Sequence, residues 1–591
     1  MKSKRIGDAD DYLVAGRNVR WFFLFATMGA TVIGGGYSIG AIGKTYEWGI
    51  LMLLVSTGGY LHFIFSGLVV APQFREAELY TVAGYFGHRF GEGSRFIMLI
   101  LSLLFSVFIV AAQMAAFGTV LAAIMPSVAD ATNILRWAIL ISGLLVVIYS
   151  TAGGLLAVIH TDMYQFIVLI AGFIIVLAFC IPDIVVSYNS DTGKFVPTRF
   201  GSIDLESPES LGHKIAVGDD SLAVTIRSHF TDDEIEQLNT PDSAGTFSHQ
   251  RQRLLVDGLN EILDERKFFT KDKIAHLTLS EQSVALVEDE PEDGRDLRRR
   301  NLSILQDAYP GEFTRNRVIP DNFFAFEGGK GWVFLITTFL AFLLGETFAP
   351  GYATRYCVGK NIRETKIGIA GVGFFLAITF PVILFFIALY ARIHFPDIDP
   401  QQALPMVVQQ LHSPIIAGLM IGALLMAVMS SADSALNSAT AIFVKDLFEH
   451  QLGWKDTGDG RMLRLARICT AALGLAAIFI AIVWTDIIDL LLFTYHVWAP
   501  AVILPVTLGA IWKKKSKRLN RNIFITMLGA TLITMSYRLF NWLYGKYEWS
   551  FLSDSIENLI AQIDPAVVGV FISIVIFGML SIFTRYNDSA G

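Results

Sequence analysis

The sequence predicts an all-α integral membrane protein with twelve membrane-spanning helices. Of its 591 residues, 53% are apolar and 17% are charged, whereas about 25% of the residues of an average soluble protein are charged. Apolar runs long enough to cross a bilayer recur along the chain. Two of them carry helix-breaking residues five spans apart, which predicts an inverted five-plus-five helix repeat with two extra C-terminal helices. This composition excludes a soluble multidomain enzyme and a disordered chain.

The twelve spans are divided by one long polar segment. They are predicted at 20–42, 49–72, 96–125, 135–152, 156–181, 331–354, 367–392, 414–444, 464–484, 487–512, 522–543 and 564–584. Residues 186–330 separate span 5 from span 6 and carry 27 acidic and 17 basic residues, a net charge of −10, while the rest of the chain carries +3. The predicted units are therefore the first repeat (1–185, spans 1–5), the acidic insert (186–330), the second repeat (331–512, spans 6–10) and the C-terminal part (513–591, spans 11 and 12).

Basic residues predict how the spans are oriented. Short loops rich in Lys and Arg stay on the cytoplasmic side of a membrane. The N-terminus and the loops after spans 2, 6, 8 and 10 hold most of these residues, whereas the alternate loops hold few. The pattern predicts cytoplasmic termini, an extracytoplasmic insert and a location in the cytoplasmic (plasma) membrane. The polar start of the chain and the full membrane length of span 1 argue against a cleavable signal peptide.

The insert contains signals of folded structure. Thr231 and Glu234 have the spacing of a capping box, residues 253–267 have helical periodicity, and alternating apolar residues at 215–226 predict a strand. Its length is sufficient for one small domain. A folded cap and a loosely structured spacer both fit this pattern, and the sequence identifies no protein partner for it.

Two spans contain residues that interrupt a helix. Gly34, Gly35 and Gly36 are consecutive in span 1, and each glycine is about 1 kcal/mol less favourable than alanine in a helix. Span 6 contains Gly345-Glu-Thr-Phe-Ala-Pro350-Gly351, where the proline removes a helix hydrogen bond. Unwound backbone at membrane depth is tolerated where it lines a cavity, and paired broken helices indicate a transporter's binding site. Tight helix packing through small residues is the alternative for the glycines.

Span 8 carries a dense polar patch. One helix face holds the residues Ala427, Ser430, Ser431, Ser434 and Ser438. Hydroxyl, carboxylate and unwound carbonyl oxygens are suitable ligands for a small hard cation. Hydrogen bonding between helices would explain one serine, but the density of the patch favours a Na⁺ site.

Three acidic residues lie inside predicted spans, namely Asp162, Glu346 and Asp433. Each is disfavoured at mid-membrane by about 2.5–3.5 kcal/mol, which marks it as a functional candidate. Asp162 lies about 12 Å into span 5 from the predicted cytoplasmic turn, a position suited to an ion entering the cell. The sequence contains no CxxC or HExxH pattern, so Na⁺ is the only metal ion predicted.

Several stretches together resemble the sodium:solute symporter family. They are DDYLVAGR at 10–17, GGL…VIHTDMYQF at 153–166, RYCVGKN at 355–361 and SSADSALNSATAIFVKDLF from 430 onward. The resemblance covers nearly all of the chain outside 186–330. It implies the ten-helix inverted-repeat fold of leucine-type transporters and cotransport of Na⁺ with a small solute. The predicted spans depart from the family's usual pattern in two ways: no helix is predicted before span 1, and the outer segment is longer.

The resemblance also implies two sets of sodium ligands. The first comprises the backbone carbonyls of Ala30, Ile33 and Ala427 and the hydroxyls of Ser430 and Ser431. The second, a site or exit path found in some members, comprises Asp162, Ser430, Asp433 and Ser434. In the second set Asp433 replaces a hydroxyl of some members.

The resemblance is closest to the choline-transporter branch, at GGGY (34–37) and MSSADS (429–434). That branch's aromatic residues, which would hold a quaternary ammonium, align with Val32, Ile109 and Ala349, which argues against choline. The polar residue that sugar transporters use on span 10 aligns with Leu492, which argues against sugars. The predicted substrate pocket is lined by Gly35, Tyr37, Tyr60, Gln113, Glu346, Tyr495, His496 and Trp498. An amino acid, a carboxylate or a related metabolite, including a cationic one, would fit this mixed lining.

These patterns predict sodium-coupled symport of a small organic solute by alternating access. The expected partners are the solute, Na⁺ and the lipid bilayer, without nucleic acid, and no nucleophile–base or metal constellation indicates an enzyme. One alternative is a membrane sensor or receptor whose outer domain binds a ligand. Another is a proton-coupled carrier that uses His160, Asp162 and Glu346.

Overall fold

The computed structural model describes the membrane region and scattered parts of the insert. The described residues are 17–76, 79–124, 131–189, 194–195, isolated positions from 224 to 305, 319–395, 398–409, 414–454, 461–512, 516–546 and 563–583.

Ten helices of this described part are long and apolar enough to cross a membrane, and two further crossings are bent helix pairs. The unbroken spans 2–5 and 7–12 are Ile50–Glu76, Glu92–Ala122, Ile134–Thr151, Val158–Val185, Ile362–His394, Ile415–Gln451, Arg461–Val483, Ile487–Gly509, Lys517–Tyr544 and Pro565–Ile582. Span 1 comprises Trp21–Val32 and Gly36–Trp48, and span 6 comprises Trp332–Gly345 and Pro350–Val358. With each bent pair counted as one crossing, the twelve predicted spans are confirmed.

The elements between the spans are short. They are the α-helices Val82–Phe90 and Ala403–Gln409, the 3-10 turns Asp321–Phe323 and Pro400–Gln402, and the antiparallel strand pair Tyr188–Asn189 and Lys194–Phe195. The strand pair directly follows span 5, at the start of the insert.

Spans 4 and 5 belong to one run of helical residues, Ala131–Ser187, yet they form two crossings. The Tyr149 hydroxyl lies 3.3 Å from the Thr161 Oγ1. Twelve residues of straight helix would separate the two positions by about 18 Å along its axis. The chain therefore reverses between them, as two antiparallel spans require.

Span 1 lies at the centre of the bundle. Phe25 of span 1 packs on Phe166 of span 5 and Phe375 of span 7, with ring centroids 5.8 Å apart in both pairs. Spans 11 and 12 pack on each other and on span 10. Only 28% and 22% of their apolar windows are buried, against 72% in span 10, so they lie at the periphery. Large apolar side chains such as Phe479 and Ile582 are exposed on the outer surface, where a membrane protein faces lipid.

Both predicted helix breaks are confirmed. The first helix of span 1 ends at Val32, and the chain bends by 62° before the helix that begins at Gly36. Span 6 bends by 45° between Gly345 and Pro350, and the proline occupies the first turn of the new helix, where its missing N–H is tolerated. Phe348 has φ +66°, a left-handed conformation unusual for a bulky residue. Such backbone strain concentrates at functional sites.

The described parts of the insert include the predicted capping box. The Thr231 N–H donates to Glu234 Oε2 at 2.8 Å, and the Glu234 N–H donates to Thr231 Oγ1 at 3.4 Å. The backbone hydrogen bond from Thr231 favours the ionised form and lowers the pKa of Glu234.

Two further predictions for the insert fall partly within its described residues. Residues 258–263 are helical, as the periodicity predicts, while 253–257 lie outside the described residues. The predicted strand at 215–226 is wrong at its end, where Val224 and Ile226 are helical, and 215–223 are not described. A short apolar alternation does not by itself separate a strand from a buried helix. Asn301 donates to the carbonyls of Ile262 and Leu263 at 3.1 Å, and these buried contacts favour a folded cap over a spacer.

Candidate functional site

The break in span 1 meets the polar patch of span 8. The Ser431 hydroxyl lies 2.8 Å from the Thr31 carbonyl oxygen and 3.4 Å from that of Ala30. It also lies 3.2 Å from the carbonyl oxygen of Ala427 on its own helix. Three of the five predicted sodium ligands, Ala30, Ala427 and Ser431, are thereby brought together. The third predicted carbonyl belongs to Ile33, which caps the broken helix with a non-helical ψ of 56°.

Small residues allow this close approach. A Cβ added at Gly34 would overlap the Ser431 Oγ and lie 2.6 Å from Gln113 Oε1. The Gly35 N–H, which has no helical partner at the break, donates to the same Gln113 oxygen at 2.7 Å. Gln113 of span 3 thus compensates for a hydrogen bond lost by unwinding.

The Ser430 hydroxyl faces a different partner. It donates to Asp162 Oδ1 of span 5 at 2.5 Å, while the Thr27 hydroxyl donates to Asp162 Oδ2 at 2.5 Å. Two hydroxyls therefore hold the fully buried carboxylate from spans 8 and 1. Ser430 lies at the second predicted sodium site, next to Asp162, while the adjacent Ser431 lies at the first.

Arg355 completes this cluster. Its guanidinium donates to Asp162 Oδ2 at 3.1 Å, to the Ser434 hydroxyl at 2.5 Å and to the Thr27 hydroxyl at 3.1 Å. Its side chain is fully buried, as is that of Asp162. A buried ion pair of this kind requires these additional hydrogen bonds to offset the desolvation of both charges.

The buried position of Arg355 was not predicted from the sequence, because the apolar run of span 6 was predicted to end at residue 354 and Arg355 was assigned to the basic loop after it. In the structure the second helix of span 6 continues to Val358 and carries Arg355 inside the bundle. One signal was present in the sequence: Thr27 and Thr31 are spaced to share a face of span 1. That face meets the cluster, with the Thr31 hydroxyl 3.2 Å from that of Ser434.

Asp433 adds a second buried carboxylate beside the cluster. Its side chain is 1% exposed, and the Ser150 hydroxyl of span 4 lies beside its carboxylate. Asp162 and Asp433 together carry two negative charges when ionised, whereas Arg355 supplies one positive charge. One additional cation would therefore balance the net negative charge of this cluster.

A cavity of about 40 Å³ adjoins the predicted first sodium site. Residues from five spans line it, namely Thr31, Val32, Gly36, Tyr37, Phe105, Ser106, Ile109, Gln113, Glu346, Ala349, Gly351, Tyr352, Ser431, Ala435 and Leu491. The cavity thus lies between the two helix breaks, where unwound backbone is tolerated. Because Ser431 and Thr31 line it, a solute there would lie next to the first sodium site.

Glu346 lies in the break of span 6, at one wall of this cavity. The Tyr495 hydroxyl donates to its Oε1, and the Tyr352 hydroxyl donates to its Oε2 at 2.9 Å. His62 Nε2 lies 3.8 Å from the same Oε2. Tyr352 and His62 were not predicted from the sequence, because neither position shows a pattern apart from the fold that brings it to Glu346.

The other predicted pocket residues occupy different positions. Tyr37 and Gln113 line the cavity, whereas the ring of Tyr60 lies behind Tyr37 with centroids 5.0 Å apart. Trp498 donates its indole N–H to the Thr347 carbonyl at 3.0 Å and so supports the break of span 6. Gly35 lies at the break of span 1, one residue before the cavity-lining Gly36.

His496 is directed away from this cavity, contrary to its predicted place in the lining. Its Nε2 lies 3.3 Å from Asp564 Oδ1 of span 12, and its Nδ1 lies 2.6 Å from Arg538 Nη1 of span 11. Successive helical residues are rotated by about 100°, so His496 faces the peripheral spans while Tyr495 faces Glu346. His160 packs on Phe23 with ring centroids 5.7 Å apart, at an exposed position.

Known relatives match parts of the chain. The protein is 28% identical to "High-affinity choline transporter 1" of Caenorhabditis elegans over 182 residues, which cover 31% of this chain and 30% of that protein. It is 30% identical to "Solute carrier family 5 member 4A" of Mus musculus over 185 residues (31% and 27%). It is 27% identical to a "Sodium/glucose cotransporter" of Vibrio parahaemolyticus over 172 residues (28% and 29%). The chain therefore spans less than a third of the length of these curated relatives.

The fold and the family model match much more of the chain. A solved structure described as the substrate-bound outward-open state of a Na⁺-coupled sialic acid symporter aligns with a TM-score of 0.55 and 16% identity, over 98% of this chain and 93% of that one. This likeness confirms the predicted all-α membrane fold with its inverted repeat. The sequence model of the sodium:solute symporter family matches residues 12–226 and 317–520. The chain therefore belongs to the sodium:solute symporter family.

Proposed function

We propose that the protein couples the entry of Na⁺ to the uptake of a small organic solute by alternating access. The observation that carries this proposal is the position of the Ser431 hydroxyl, which lies among carbonyl oxygens of spans 1 and 8 at the edge of the cavity. Oxygen ligands of this kind suit Na⁺. The transporters named among the relatives support the same assignment.

In this proposal Na⁺ binds between spans 1 and 8 through Ala30, Ile33, Ala427 and Ser431, and Ser430, whose hydroxyl donates to Asp162 in this structure, would complete the set. A bound ion would hold the broken helix of span 1 against span 8, which would fix one wall of the cavity before the solute enters. The break in span 6 forms the opposite wall, so the solute would contact both halves of the inverted repeat. Each Na⁺ that crosses would contribute about 2.3 kcal/mol per 100 mV of membrane potential.

A second Na⁺ would bind near Asp162, Ser430, Asp433 and Ser434. The guanidinium of Arg355 already contacts Asp162 and Ser434, so the second ion would associate mainly with Asp433 and would leave toward the cytoplasmic side past Asp162. The burial of the Asp433 carboxylate supports this assignment, since a buried charge without a counter-ion of its own is strongly disfavoured.

The proposal places the protein in the cytoplasmic membrane with both termini in the cytoplasm and the insert outside. Its membrane-spanning character follows from the apolar helices and the family. The orientation is supported by the basic loops of the sequence, and cysteine accessibility at an insert position, compared with one in the loop after span 10, would test it.

We expect Ser431→Ala to raise the Na⁺ concentration needed for half-maximal effect severalfold. The substitution removes one oxygen ligand and leaves the helix intact, because alanine is the best helix former. Na⁺-dependent thermal stabilisation of the purified protein measures the change. The matched control is Ser536→Ala in span 11, where the hydroxyl bonds only its own helix at Leu532. Equal Na⁺ dependence in both variants would contradict the first sodium site.

A separate expectation concerns the second site. Asp433→Asn removes one negative charge at nearly constant volume, so the cluster would keep Asp162 paired with Arg355 and lose its affinity for a further cation. We expect the Hill coefficient for Na⁺ in liposome uptake to fall toward one, while Ser431→Ala changes the apparent affinity. A Hill coefficient unchanged by Asp433→Asn would argue against a second ion at this position.

A further inference from the structure

The cavity wall contains a carboxylate that has no lysine or arginine as its counter-ion among the described residues. Among the described residues that line the cavity, Glu346 is the one acidic or basic side chain. Its side chain is about 4% exposed, so bulk water does little to stabilise its charge. A buried carboxylate is normally paired, because the uncompensated charge is strongly disfavoured.

The neighbours of Glu346 are hydrogen-bond donors without a formal charge. The hydroxyls of Tyr495 and Tyr352 each donate to one carboxylate oxygen. A carboxylate accepts about four hydrogen bonds, so two tyrosines leave acceptor positions open. Neither tyrosine supplies a positive charge, so the carboxylate keeps acceptor positions for a cationic group.

Two basic residues lie near Glu346. His62 Nε2 is 3.8 Å from Glu346 Oε2, so these two residues form an ion pair only when His62 is protonated. Arg355, on the second helix of span 6, donates to Asp162 and Ser434 instead. Among the described residues, therefore, no lysine or arginine pairs with Glu346, and a cationic solute would supply a permanent positive charge.

Resting on the proposed function, we propose that the transported solute carries a positively charged N–H group, as in a primary or secondary amine or an amino acid, and that this group binds Glu346. The hydroxyl of Tyr37 supports the assignment, because it is buried, lines the same cavity and lies beside Glu346 and Tyr495. The ammonium group would donate to Glu346 and to Tyr37 together. Charge-assisted bonds of this type are about twice as strong as neutral ones.

The acceptor oxygens of the cavity define the nitrogen further. A quaternary ammonium group has no N–H to donate and is held by aromatic faces, which Tyr37, Phe105 and Tyr352 supply in this cavity. A protonated amine can in addition donate a charge-assisted hydrogen bond to Glu346, a contact that a quaternary ammonium cannot make.

A series of probes with one four-carbon chain tests the inference. Butylamine, 2-aminobutyrate, butyramide, butyrate and butyltrimethylammonium are each added to the purified full chain, in NaCl and in KCl, and the unfolding midpoint is recorded. We expect butylamine and 2-aminobutyrate to stabilise the protein in NaCl more than the other three do. Equal or greater stabilisation by butyramide or butyrate, or no stabilisation by either amine, would overturn the inference.

Glu346→Gln tests the residue itself. The substitution keeps the size and removes the charge, so the affinity for the amine probes should fall about 30-fold or more, while stabilisation by Na⁺ alone is retained and reports that the variant is folded. Glu47→Gln, the same change at a partly exposed position paired with Lys44, should bind the amines as the parent protein does. Unchanged amine affinity in Glu346→Gln would refute the role of Glu346.

The proposed function fails under a different result. If Na⁺ neither stabilises the protein nor affects the binding of any probe, sodium coupling is refuted whatever the probe preference. If Na⁺ stabilises the protein but the amines have no advantage, the amine inference is refuted and the sodium site stands.

Discussion

Arg355→Met is expected to lower the free energy of unfolding by about 3–5 kcal/mol. The methionine fills similar space but leaves Asp162 without the guanidinium that now lies 3.1 Å away. Asp433, close by and also buried, adds a second negative charge to the unpaired one. Denaturant unfolding of the purified protein in detergent, in KCl, measures the loss.

The double variant Arg355→Met with Asp162→Asn separates the lost charge pair from lost packing. Because neither charge of the pair remains, we expect it to recover much of the stability lost in the single variant. Equal destabilisation of the single and double variants would show that packing, and not the ion pair, explains the effect.

Na⁺ provides a second measurement on the same variant. Without Arg355, two buried carboxylates would lack a cation, so Na⁺ should stabilise Arg355→Met more than it stabilises the parent protein. The comparison also bears on the second sodium site. A Na⁺ response of the same size in both proteins would place the bound ion away from Asp162 and Asp433.

The breaks of spans 1 and 6 could be predicted because glycine and proline act locally. Gly34–Gly36 and Pro350 disfavour a continuous helix wherever they lie in the fold. The spans themselves are equally local, since a run of about 20 apolar residues has few stable locations other than a bilayer. Both features were therefore present in short windows of sequence.

The charged contacts of the site could not be predicted in this way. Arg355 pairs with Asp162, 193 positions earlier in the chain, and its position next to an apolar run is the same as that of an ordinary loop arginine. Tyr495 and Glu346 are 149 positions apart. Such contacts depend on how the two repeats pack, which the pattern along one helix does not determine.

His496 shows that the direction of a side chain on a correctly predicted span is harder to predict than the span itself. It follows Tyr495 on a span that does contribute to the site, yet the two side chains contact different partners, since Tyr495 contacts Glu346 and His496 contacts Asp564. A sequence pattern places a residue on a helix reliably, but the rotation of that helix about its axis depends on its neighbours. A lining predicted from proximity in sequence therefore contains residues that face elsewhere.

Gly34→Ala should remove Na⁺-dependent transport almost completely. An added Cβ would overlap the Ser431 hydroxyl and lie 2.6 Å from Gln113 Oε1, so either Ser431 or the broken helix must move. Both outcomes separate the Ser431 hydroxyl from the carbonyls of Ala30 and Thr31, which now lie within 3.4 Å of it. Liposome uptake and Na⁺-dependent thermal stabilisation should be lost together.

The control for this variant is Gly422→Ala in span 8, where an added Cβ meets nothing within 4 Å. Alanine is favoured over glycine in a helix interior by about 1 kcal/mol, so this variant should transport normally and be slightly more stable. The pair distinguishes steric overlap at the break from a general sensitivity of the bundle to added methyl groups. Retention of Na⁺ dependence in Gly34→Ala would mean that the ion does not bind where spans 1 and 8 meet, because the added Cβ would overlap the Ser431 hydroxyl.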